Sequence, residues 1–378
     1  MGYELMTNEQ RDLVNLLHEV QMKELMPLIS EYEPAGKFPM QFHDKLGELG
    51  FHGMSIPEEY GGLGLDLTTQ FLLREELGMV DVGAGFTYAL SKGAGATVLR
   101  VGTEEQKKLF CDFLLNGGSG ATCISEPGAG SDVPAMLTTA KKVGNEYVIN
   151  GRKTFVTNGT IAGLYVVVAY TDKSKGSKGM SLFLVERERE GVQIGKKEDK
   201  MGMRMSETCD VIFDDVRVPA SNMLGREGEG YKYILGTLAR ARILNIASVI
   251  GLAQAALNYA VAYAKERCTF GVPIKDHQAV SFMLADMEMQ IQAARQYMLY
   301  GIRLIEDGKD ASMVAAGAKA FASEAAMKVT TDAVQIFGGY GYSREYPVEK
   351  LMRDAKVFSI FEGTNQIQRM VVGRALTK

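Results

Sequence analysis

The spacing of apolar residues changes twice along this chain, and this change constrains the fold more than any other feature. Up to about residue 120 the apolar residues recur at helical spacing, as they do between Leu13 and Val20. Short β-branched and aromatic runs follow, separated by turns such as Asn150-Gly151, and long helical patterns return after about residue 228. We therefore predict an α+β chain of three domains. Their boundaries are predicted at 1–120, 121–228 and 229–378.

The helical parts carry recognisable start signals and lengths. Thr7 with Gln10, and Thr103 with Gln106, have the spacing of a capping box, in which each side chain bonds the backbone N–H of the other residue. The later helical patterns are long and joined by short links, so they predict a helical bundle. The middle strands predict an antiparallel β domain, a small sandwich or barrel. The long helices of the bundle are predicted at 231–266, 278–307 and 311–337.

Composition argues against two classes of function. A formal net charge of -4 gives no basic surface for nucleic acid. We find no run of about 18 apolar residues of the kind that spans a membrane. The N-terminus, from Met1 to Glu4, lacks the basic and apolar regions of a leader peptide, which predicts a cytoplasmic protein.

The spacing of cysteine, histidine and glycine argues against several kinds of binding site. Cys111, Cys123, Cys209 and Cys268 form no CxxC pair, and the four histidines match no metal-ligand spacing. We therefore predict buried free thiols, with neither a metal site nor a disulfide framework. The glycine-rich segments match neither GxGxxG nor GxxxxGKS/T, which argues against a Rossmann or P-loop nucleotide site.

Five short segments could carry chemistry, although each is by itself typical of an ordinary loop or helix end. Glycine-rich turns let backbone amides approach a planar or anionic ligand closely. The last segment places an acid, Glu362, just before a helix that Thr364 can cap, and the helix start alone would lower the pKa of this acid. The segments are ISEPGAGSD at 124–132, FVTNG at 155–159, ERCTFGVPI at 266–274, QIFGGYGY at 335–342 and FEGTNQIQ at 361–368.

In their order and spacing, these segments resemble the acyl-CoA dehydrogenases over essentially the whole chain. TDKSKGSKG at 171–179 and KKEDKMG at 196–202 are most similar to anaerobic bacterial butyryl-CoA dehydrogenases and related enoyl-CoA reductases. The resemblance implies an N-terminal helical domain, a middle β domain and a C-terminal four-helix bundle, assembled as a homotetramer built from dimers. It also implies an FAD cofactor and exchange of electrons with electron-transfer flavoprotein.

The resemblance assigns most of the implied site residues to the FAD. One set lines the isoalloxazine ring, a second holds the cofactor of a neighbouring subunit, and a third contacts the flavin from the last loop. A fourth set contacts the acyl-CoA substrate. The sets are, in turn, Cys123, Ile124, Ser125, Phe155, Val156 and Thr157; Arg267, Phe270, Gln278, Gln335, Gly338 and Gly339; Thr364 and Gln366; and Ser131, Arg242 and Gly363.

The same resemblance makes Glu362 the catalytic base. In the family, the acid at this place removes the α-proton of the thioester while the β-hydrogen leaves as hydride to the flavin. The amide of this Glu and a ribityl hydroxyl of FAD stabilise the enolate-like charge, and each such donor can lower the barrier by about 3 kcal/mol. An apolar pocket should raise the pKa of the carboxylate and make it a stronger base. Some members carry the base on a bundle helix instead, at a place where this chain has Ala241.

Two regions depart from the short-chain pattern and leave the identity of the acyl group open. The helical stretch 85–95 is unlike that of the butyryl enzymes, and ARAR at 239–242 replaces their usual Asp-Gly-Gly-Arg. Phe361 stands where Tyr is usual. The glutaryl-CoA enzymes have an arginine near the start of the first stretch, where this chain has Ala84 and Gly85, so a dicarboxyl substrate is less expected. Short, medium, aryl and unsaturated acyl groups remain.

The leading hypothesis is oxidation of an acyl-CoA to a 2-enoyl-CoA, or its reversal, because the chemistry is reversible and the protein sets binding and flavin potential. The first alternative is a dedicated enoyl-CoA reductase in an electron-bifurcating complex, for example one for an arylacrylyl-CoA such as caffeyl-CoA. The others are a catalytically idle acyl-CoA-binding protein that keeps the fold, and an acyl-CoA oxidase.

Overall fold

The computed structural model describes residues 6–377. Within these residues the chain forms helices, then strands, then helices again, which confirms the predicted fold class. The stretch from Met1 to Glu4, on which the prediction of a cytoplasmic protein depends, lies outside the described residues.

Seven α-helices make up the described N-terminal part, and both predicted capping boxes are present. The hydroxyl of Thr7 accepts the N–H of Gln10 at 3.2 Å, and the hydroxyl of Thr103 accepts the N–H of Gln106 at 3.3 Å. The helices are α1 (Asn8–Val20), α2 (Ile29–Ala35), α3 (Met40–Glu48), α4 (Leu67–Val80), α5 (Val82–Gly93), α6 (Gly95–Val101) and α7 (Glu104–Leu115).

The middle part of the chain is one mainly antiparallel sheet. Its strands run in the order β6-β7-β3-β2-β4-β5-β8, and β1 pairs in parallel with β4, so that Cys123 lies opposite Val167. The strands are β1 (Gly120–Cys123), β2 (Thr139–Val143), β3 (Glu146–Thr157), β4 (Leu164–Tyr170), β5 (Met180–Glu186), β6 (Val192–Lys197), β7 (Thr208–Pro219) and β8 (Met223–Leu224).

Strand β4 connects the two apolar clusters of this domain. All its residues are buried, and because successive side chains point to opposite faces, they divide between the clusters. Val166 and Val168 join the cluster that includes Phe110 of α7, whereas Tyr165 and Val167 join the cluster inside the sheet. The sheet is therefore covered by helices on one face and filled by its own side chains on the other.

The C-terminal part contains three long helices and two shorter ones that both pack on the third. The long helices agree with the predicted ranges to within one residue at each end. The elements are α8 (Gly230–Glu266), β9 (Cys268–Thr269), β10 (Val272–Pro273), α9 (Gln278–Glu306), α10 (Ser312–Phe337), α11 (Val348–Ala355) and α12 (Asn365–Leu376).

Helix α8 corrects one statement drawn from the sequence. Over Ala239–Glu266 it is long and apolar enough to cross a membrane by length and composition, with a mean hydropathy of 1.4. In the fold, 89% of this stretch is buried, as expected for the central helix of a protein core.

The cysteines also require a correction. Cys111, Cys123 and Cys209 are buried free thiols, as predicted. Cys268 is a free thiol as well, but it is exposed, because it starts the two-residue strand β9 at the surface.

Helices α4 and α8 cross so closely that their backbones nearly touch. A Cβ atom on Gly78 would lie 1.9 Å from the carbonyl oxygen of Ser248, and a Cβ atom on Gly251 would lie 1.9 Å from that of Glu75. Only glycine at both positions allows this approach. The crossing therefore fixes the nearby side chains of α4 against those of α8.

A buried ion pair ties α4 to α9 at the same place. Arg295 donates from Nη2 and Nε to the carboxylate of Glu75 at 2.6 and 3.0 Å, and both side chains are buried. Gln254 on α8 accepts a further hydrogen bond from Arg295 at 3.2 Å. Three helices from two parts of the chain thus meet at one buried ion pair.

We expect Glu75→Leu to lower the free energy of unfolding by about 3–5 kcal/mol, because it leaves the Arg295 charge buried without this carboxylate. The double variant Glu75→Leu/Arg295→Met removes both charges and should recover most of the loss. Urea unfolding followed by circular dichroism measures both changes. A single variant as stable as the wild type, or a double variant no better than the single one, would contradict this account.

Candidate active site

Glu362 occupies an unusual backbone conformation in the turn before α12. Its φ is +55°, and that of Gly363 is +82°. A left-handed conformation is uncommon for residues other than glycine and tends to occur at functional sites. The hydroxyl of Thr364 accepts the N–H of Ile367 at 3.3 Å, so the predicted cap of α12 is present. The turn therefore presents the Glu362 side chain from a fixed helix start.

Side chains from three other helices surround the carboxylate of Glu362. Its Oε1 accepts a hydrogen bond from Asn245 Nδ2 on α8 at 3.2 Å. Arg242 on α8, Lys319 on α10 and Arg74 on α4 are near enough to favour its charged form. Burial nevertheless raises the pKa of Glu362 and outweighs these groups. The helix start alone would lower the pKa of Glu362, but the effect of burial is larger.

Glu362 is half-buried and has few hydrogen-bond partners among the described residues. Its side chain is partly exposed to solvent, although enough protein surrounds it for burial to raise its pKa. Among residues 6–377, neither its Oε2 nor its backbone N–H has a hydrogen-bond partner. Glu362 thus offers a proton acceptor and a hydrogen-bond donor from one residue.

Two side chains donate hydrogen bonds to the backbone carbonyl groups of this turn. Lys319 Nζ donates to the carbonyl oxygen of Gly363 and to Asn365 Oδ1, both at 2.9 Å. Gln368 Nε2 donates to the carbonyl oxygens of Gly363 and Glu362 at 2.9 and 3.2 Å. Lys319 is buried, and burial lowers its pKa to about 8. Because these donors satisfy the carbonyl groups, the turn can keep its left-handed backbone.

The predicted isoalloxazine residues lie together where two strands end. Thr154 N–H donates to the carbonyl oxygen of Ser125 at 2.9 Å, which joins the end of β1 to β3. A β-bulge gives Phe155 a φ of +52° and leaves its ring 65% exposed. The hydroxyls of Ser125 and Thr157 have no hydrogen-bond partner within the described part of the chain. Cys123 and Val156 are buried beneath them, and Ile124 is half-buried.

A buried carboxylate orders the loop that carries Ser131. Glu126 accepts hydrogen bonds from the N–H groups of Leu137 and Thr138 at 2.6 and 3.0 Å and from Lys153 Nζ at 2.9 Å. Both charged side chains of the Lys153 pair are buried. Ser131 itself is exposed on this loop. The structure does not show a contact between Ser131 and the Glu362 turn.

The second predicted set lies elsewhere, around the C-terminal ends of α8 and α10. The Arg267 guanidinium lies 5.8 Å from the centre of the Tyr340 ring, which joins the two ends. Phe270 has a φ of +51° and is 97% exposed. Gly338 has φ +61° and ψ -136°, a conformation open essentially to glycine alone, and a Cβ there would meet no atom within 4 Å. The exposed members of this group are Arg267, Phe270, Gln278, Gln335, Gly338 and Gly339.

The two groups are far apart on one chain. Arg242, near Glu362, and Arg267 are separated by 25 positions, almost all of them in α8, which corresponds to about 37 Å along the helix. The structure therefore brings Arg242 and Gly363 to Glu362, and keeps the Arg267 group away from them.

The residues present fit a flavin nucleotide. An exposed aromatic ring and unpaired hydroxyls at the strand ends suit a planar ring with polar edges. Open glycine backbone and an exposed arginine suit a phosphate group. Thr364 and Gln366 line a cavity of about 450 Å³ beside the Glu362 turn. Its lining residues are Ser323, Glu324, Met327, Lys328, Thr331, Lys356, Ser359, Ile360, Thr364, Asn365 and Gln366.

Three residues around Glu362 were not predicted from the sequence. Lys319 is the one charged residue in the apolar, alanine-rich stretch 312–323, and Arg74 follows a run of apolar residues, so both gave a weak signal of a buried charge. Asn245 gave none, because its role depends on side chains from other helices.

Three family models match consecutive parts of the chain. They are described as the N-terminal domain of acyl-CoA dehydrogenase, matching residues 7–118, the middle domain, matching 121–216, and the C-terminal domain, matching 228–377.

Individual proteins are similar over nearly the whole length. The structure of butyryl-CoA dehydrogenase from Megasphaera elsdenii is 44% identical, with a TM-score of 0.96 and 99% of both chains covered. A structure from work on the electron transferring flavoprotein of Acidaminococcus fermentans and flavin-based electron bifurcation is 45% identical, with a TM-score of 0.96 and 99% of both chains covered. Cyclohex-1-ene-1-carbonyl-CoA dehydrogenase of Syntrophus aciditrophicus is 41% identical over 98% of this chain and 90% of its own.

The raised pKa of Glu362 predicts a pH-dependent gain in stability for Glu362→Gln. Because the folded state favours the protonated acid, the wild type loses stability as the pH rises through the folded pKa, whereas the amide does not. We expect the variant to be more stable at neutral and alkaline pH, with a difference that shrinks towards acid pH. Thermal unfolding between pH 5 and about pH 8 measures it. The exposed Glu190→Gln serves as control, and a pH-independent difference would contradict the burial of Glu362.

Proposed function

This chain belongs to the acyl-CoA dehydrogenase family, and on that basis we propose that it forms, or reduces, the Cα–Cβ double bond of an acyl-CoA thioester. The observation that carries the proposal is the Glu362 turn, which offers a carboxylate oxygen and a backbone N–H that have no hydrogen-bond partner within residues 6–377. We propose FAD as the flavin and electron-transfer flavoprotein as the electron partner. The domain boundaries after residues 120 and 228, and a cytoplasmic location, stay predictions.

Glu362 is suited to take the α-proton of the thioester. Asn245 holds Oε1, which leaves Oε2 as the acceptor atom for the proton. Because burial raises its pKa, the carboxylate is a stronger base than a solvated glutamate. Charge from Arg242 and Lys319 favours the ionised form of the base.

The backbone N–H of Glu362 supplies a donor for the thioester carbonyl oxygen. It has no partner within residues 6–377, and it belongs to the same residue as the base. A donor of this kind, aimed at the charge that develops on the oxygen as the α-proton leaves, lowers the barrier by about 3 kcal/mol.

A bound flavin would accept the β-hydrogen together with its electron pair. The residues of this chain that would hold the ring are those at the strand ends, with Phe155 against its face and the hydroxyls of Ser125 and Thr157 at its polar edge. Thr364 and Gln366 would hold the cofactor from the side of the catalytic turn. These assignments follow the family and agree with the exposure of the residues.

The residues of the second predicted set, which contains Arg267, would serve the cofactor of a neighbouring subunit. They lie about 37 Å from the Glu362 group along α8, so one chain cannot use both groups for one cofactor. Arg267 and the glycine backbone at Gly338 would hold the pyrophosphate, and Phe270 would be covered on assembly. This arrangement supports a homotetramer built from dimers.

The acyl group would be short, medium or aryl. Phe86 on α5 stacks on Phe361 with ring centres 4.9 Å apart, and Phe358 meets Phe361 edge-on at 4.9 Å. Phe86 and Phe358 are buried, so half-buried Phe361, next to Glu362, is the ring of this cluster that would face the acyl chain. Phe361, which replaces the usual Tyr, would therefore be the apolar contact that this cluster makes with the substrate.

A panel of acyl-CoA and enoyl-CoA thioesters tests the proposal, with flavin absorbance followed in the absence of oxygen. Bleaching by butyryl-CoA and not by an arylpropionyl-CoA would indicate a short-chain enzyme, and the opposite would indicate an aryl substrate. Protein that stays colourless after addition of FAD would contradict a flavoenzyme. Rapid peroxide formation in air would indicate an oxidase.

We expect Glu362→Gln to keep its FAD but to reduce the rate of flavin reduction by substrate by about 10²–10⁴-fold, because the amide cannot accept the α-proton. Stopped-flow absorbance measures the rate, and the flavin spectrum after gel filtration measures the bound FAD. Glu105→Gln, an exposed acid on α7, should match the wild type. Near-normal reduction in the Glu362 variant would refute its role as base.

We expect Arg267→Met to weaken FAD binding about tenfold or more, because it removes a charge-assisted contact with a phosphate. The FAD content after gel filtration and titration of FAD into the apoprotein measure the effect, and light scattering reports the assembly. Arg11→Met removes an exposed arginine on α1 and should bind FAD normally. Unchanged FAD affinity in the Arg267 variant would contradict the shared site.

A further inference from the structure

We propose that Arg74 and Asn245 are positioning residues that act in series on Glu362: Arg74 fixes the orientation of the Asn245 amide, and the amide holds the carboxylate in place as an ionised base. The inference rests on the proposed role of Glu362. It adds two residues, from α4 and α8, that touch neither the thioester nor the flavin in the proposed reaction.

The hydrogen bonds determine which way the amide points. Asn245 Oδ1 accepts from Arg74 Nη1 at 3.1 Å, and Asn245 Nδ2 donates to Glu362 Oε1 at 3.2 Å. A guanidinium has only donors and an ionised carboxylate has only acceptors. If the amide were rotated by 180°, its NH₂ group would face the donors of Arg74, and its oxygen would face the acceptor oxygen of Glu362. As long as Arg74 is present, the NH₂ group of Asn245 must face the base.

Arg74 has no carboxylate of its own within the described residues. Its side chain is 3% exposed, Nη2 donates to Ser55 Oγ at 3.2 Å, and buried Nε lacks a partner. The acids that follow it in the sequence are engaged elsewhere, Glu75 with Arg295 and Glu76 with His18. A buried cation without a counter-charge is costly.

The acid that favours the charged form of Arg74 is Glu362, and the Asn245 amide lies between them. Burial lowers the pKa of Arg74 to about 10, with a further lowering by Arg240, so the group is still a cation at neutral pH. The charge of Arg74 therefore acts on Glu362.

The backbone keeps the two residues in register. Arg74 and Asn245 lie on the helices that cross at Gly78 and Gly251, where neither helix can shift without a clash. The Asn245 amide is thereby held at a fixed position along α8 relative to the Glu362 turn. A loop residue in the same role would be less precise.

The charged groups that face Glu362 come from three helices: Arg242 from α8, Lys319 from α10 and Arg74 from α4. Together with the Asn245 donor they lower its pKa against the larger effect of burial. Within the described chain, Asn245 alone donates a hydrogen bond to the carboxylate. Its loss should therefore leave the acid protonated to a higher pH.

Asn245→Leu tests the contact with the base, because it keeps a similar size without the donor. The acid limb of the pH profile for anaerobic flavin reduction should move up by about one to two pH units, with the FAD content unchanged. Asn245→Asp should move it further, because a second carboxylate then faces the first. If the acid limb of the pH profile stayed at the wild-type position in both variants, the proposal would be overturned.

Arg74→Met tests the series arrangement. Alone it should move the limb upwards, and Arg74→Lys, which keeps the charge, should restore part of the shift. The double variant Arg74→Met/Asn245→Leu should shift by less than the sum of the two single shifts, because Arg74 acts mainly through the amide and only its direct charge effect on Glu362 is added. Additive shifts would overturn the series arrangement. Arg303→Met removes an exposed arginine on α9 and should leave the limb unchanged.

A second measurement separates this inference from the proposed function. Infrared spectra recorded across pH contain the band of a protonated carboxyl, and the component lost in Glu362→Gln reports the titration of Glu362 without turnover. If no thioester reduces the flavin, the proposed function fails, yet the infrared shift in Asn245→Leu still tests the contact. If reduction depends on Glu362 but the Asn245 variants titrate as the wild type does, only the present inference fails. Should Arg74→Met not fold, Arg74→Lys and the Asn245 variants decide the outcome.

Discussion

The crossing of α4 and α8 is the contact on which the rest of the structure depends. At Gly78 and Gly251 the two backbones approach as closely as glycine permits, and the N-terminal helices and the bundle share one apolar core around this point. The Glu75 to Arg295 pair ties the third helix to the same place. Glu362 then lies on a turn that reaches this junction from α12. A change in the crossing would displace Arg74 and Asn245, which lie on the two helices, more than it would displace Glu362 itself.

Much of the fold followed from spacing, because amphipathic helices and capped ends are local properties. The long helices were located to within one residue, and the family, recognised from five short segments, is confirmed by matches over nearly the whole chain. Helix α4 was not located, because residues on all its faces are buried and the helical period is hidden. Cys268 was expected to be buried, since a thiol carries no sign of the two-residue strand in which it lies.

The candidate site was predictable where it is carried by consecutive residues, and not where it is assembled from distant ones. The Glu362 turn and its Thr364 cap lie within three positions and could be identified together. Arg74 and Asn245 are 171 positions apart, and only the packing of α4 on α8 brings them into contact. The predicted effect of the helix start on Glu362 was outweighed by burial, which depends on the same packing.

The positive φ of Glu362 has a consequence for how this position can change over generations. Glycine would adopt the turn without strain and would remove a buried charge, so selection for a sturdy fold alone would drive the position towards glycine. A glutamate that is unfavourable in both respects persists only while its chemistry is needed. The residue at position 362 therefore indicates whether the reaction is retained. In a related protein that had lost the reaction, Glu362 would be among the first residues to be replaced.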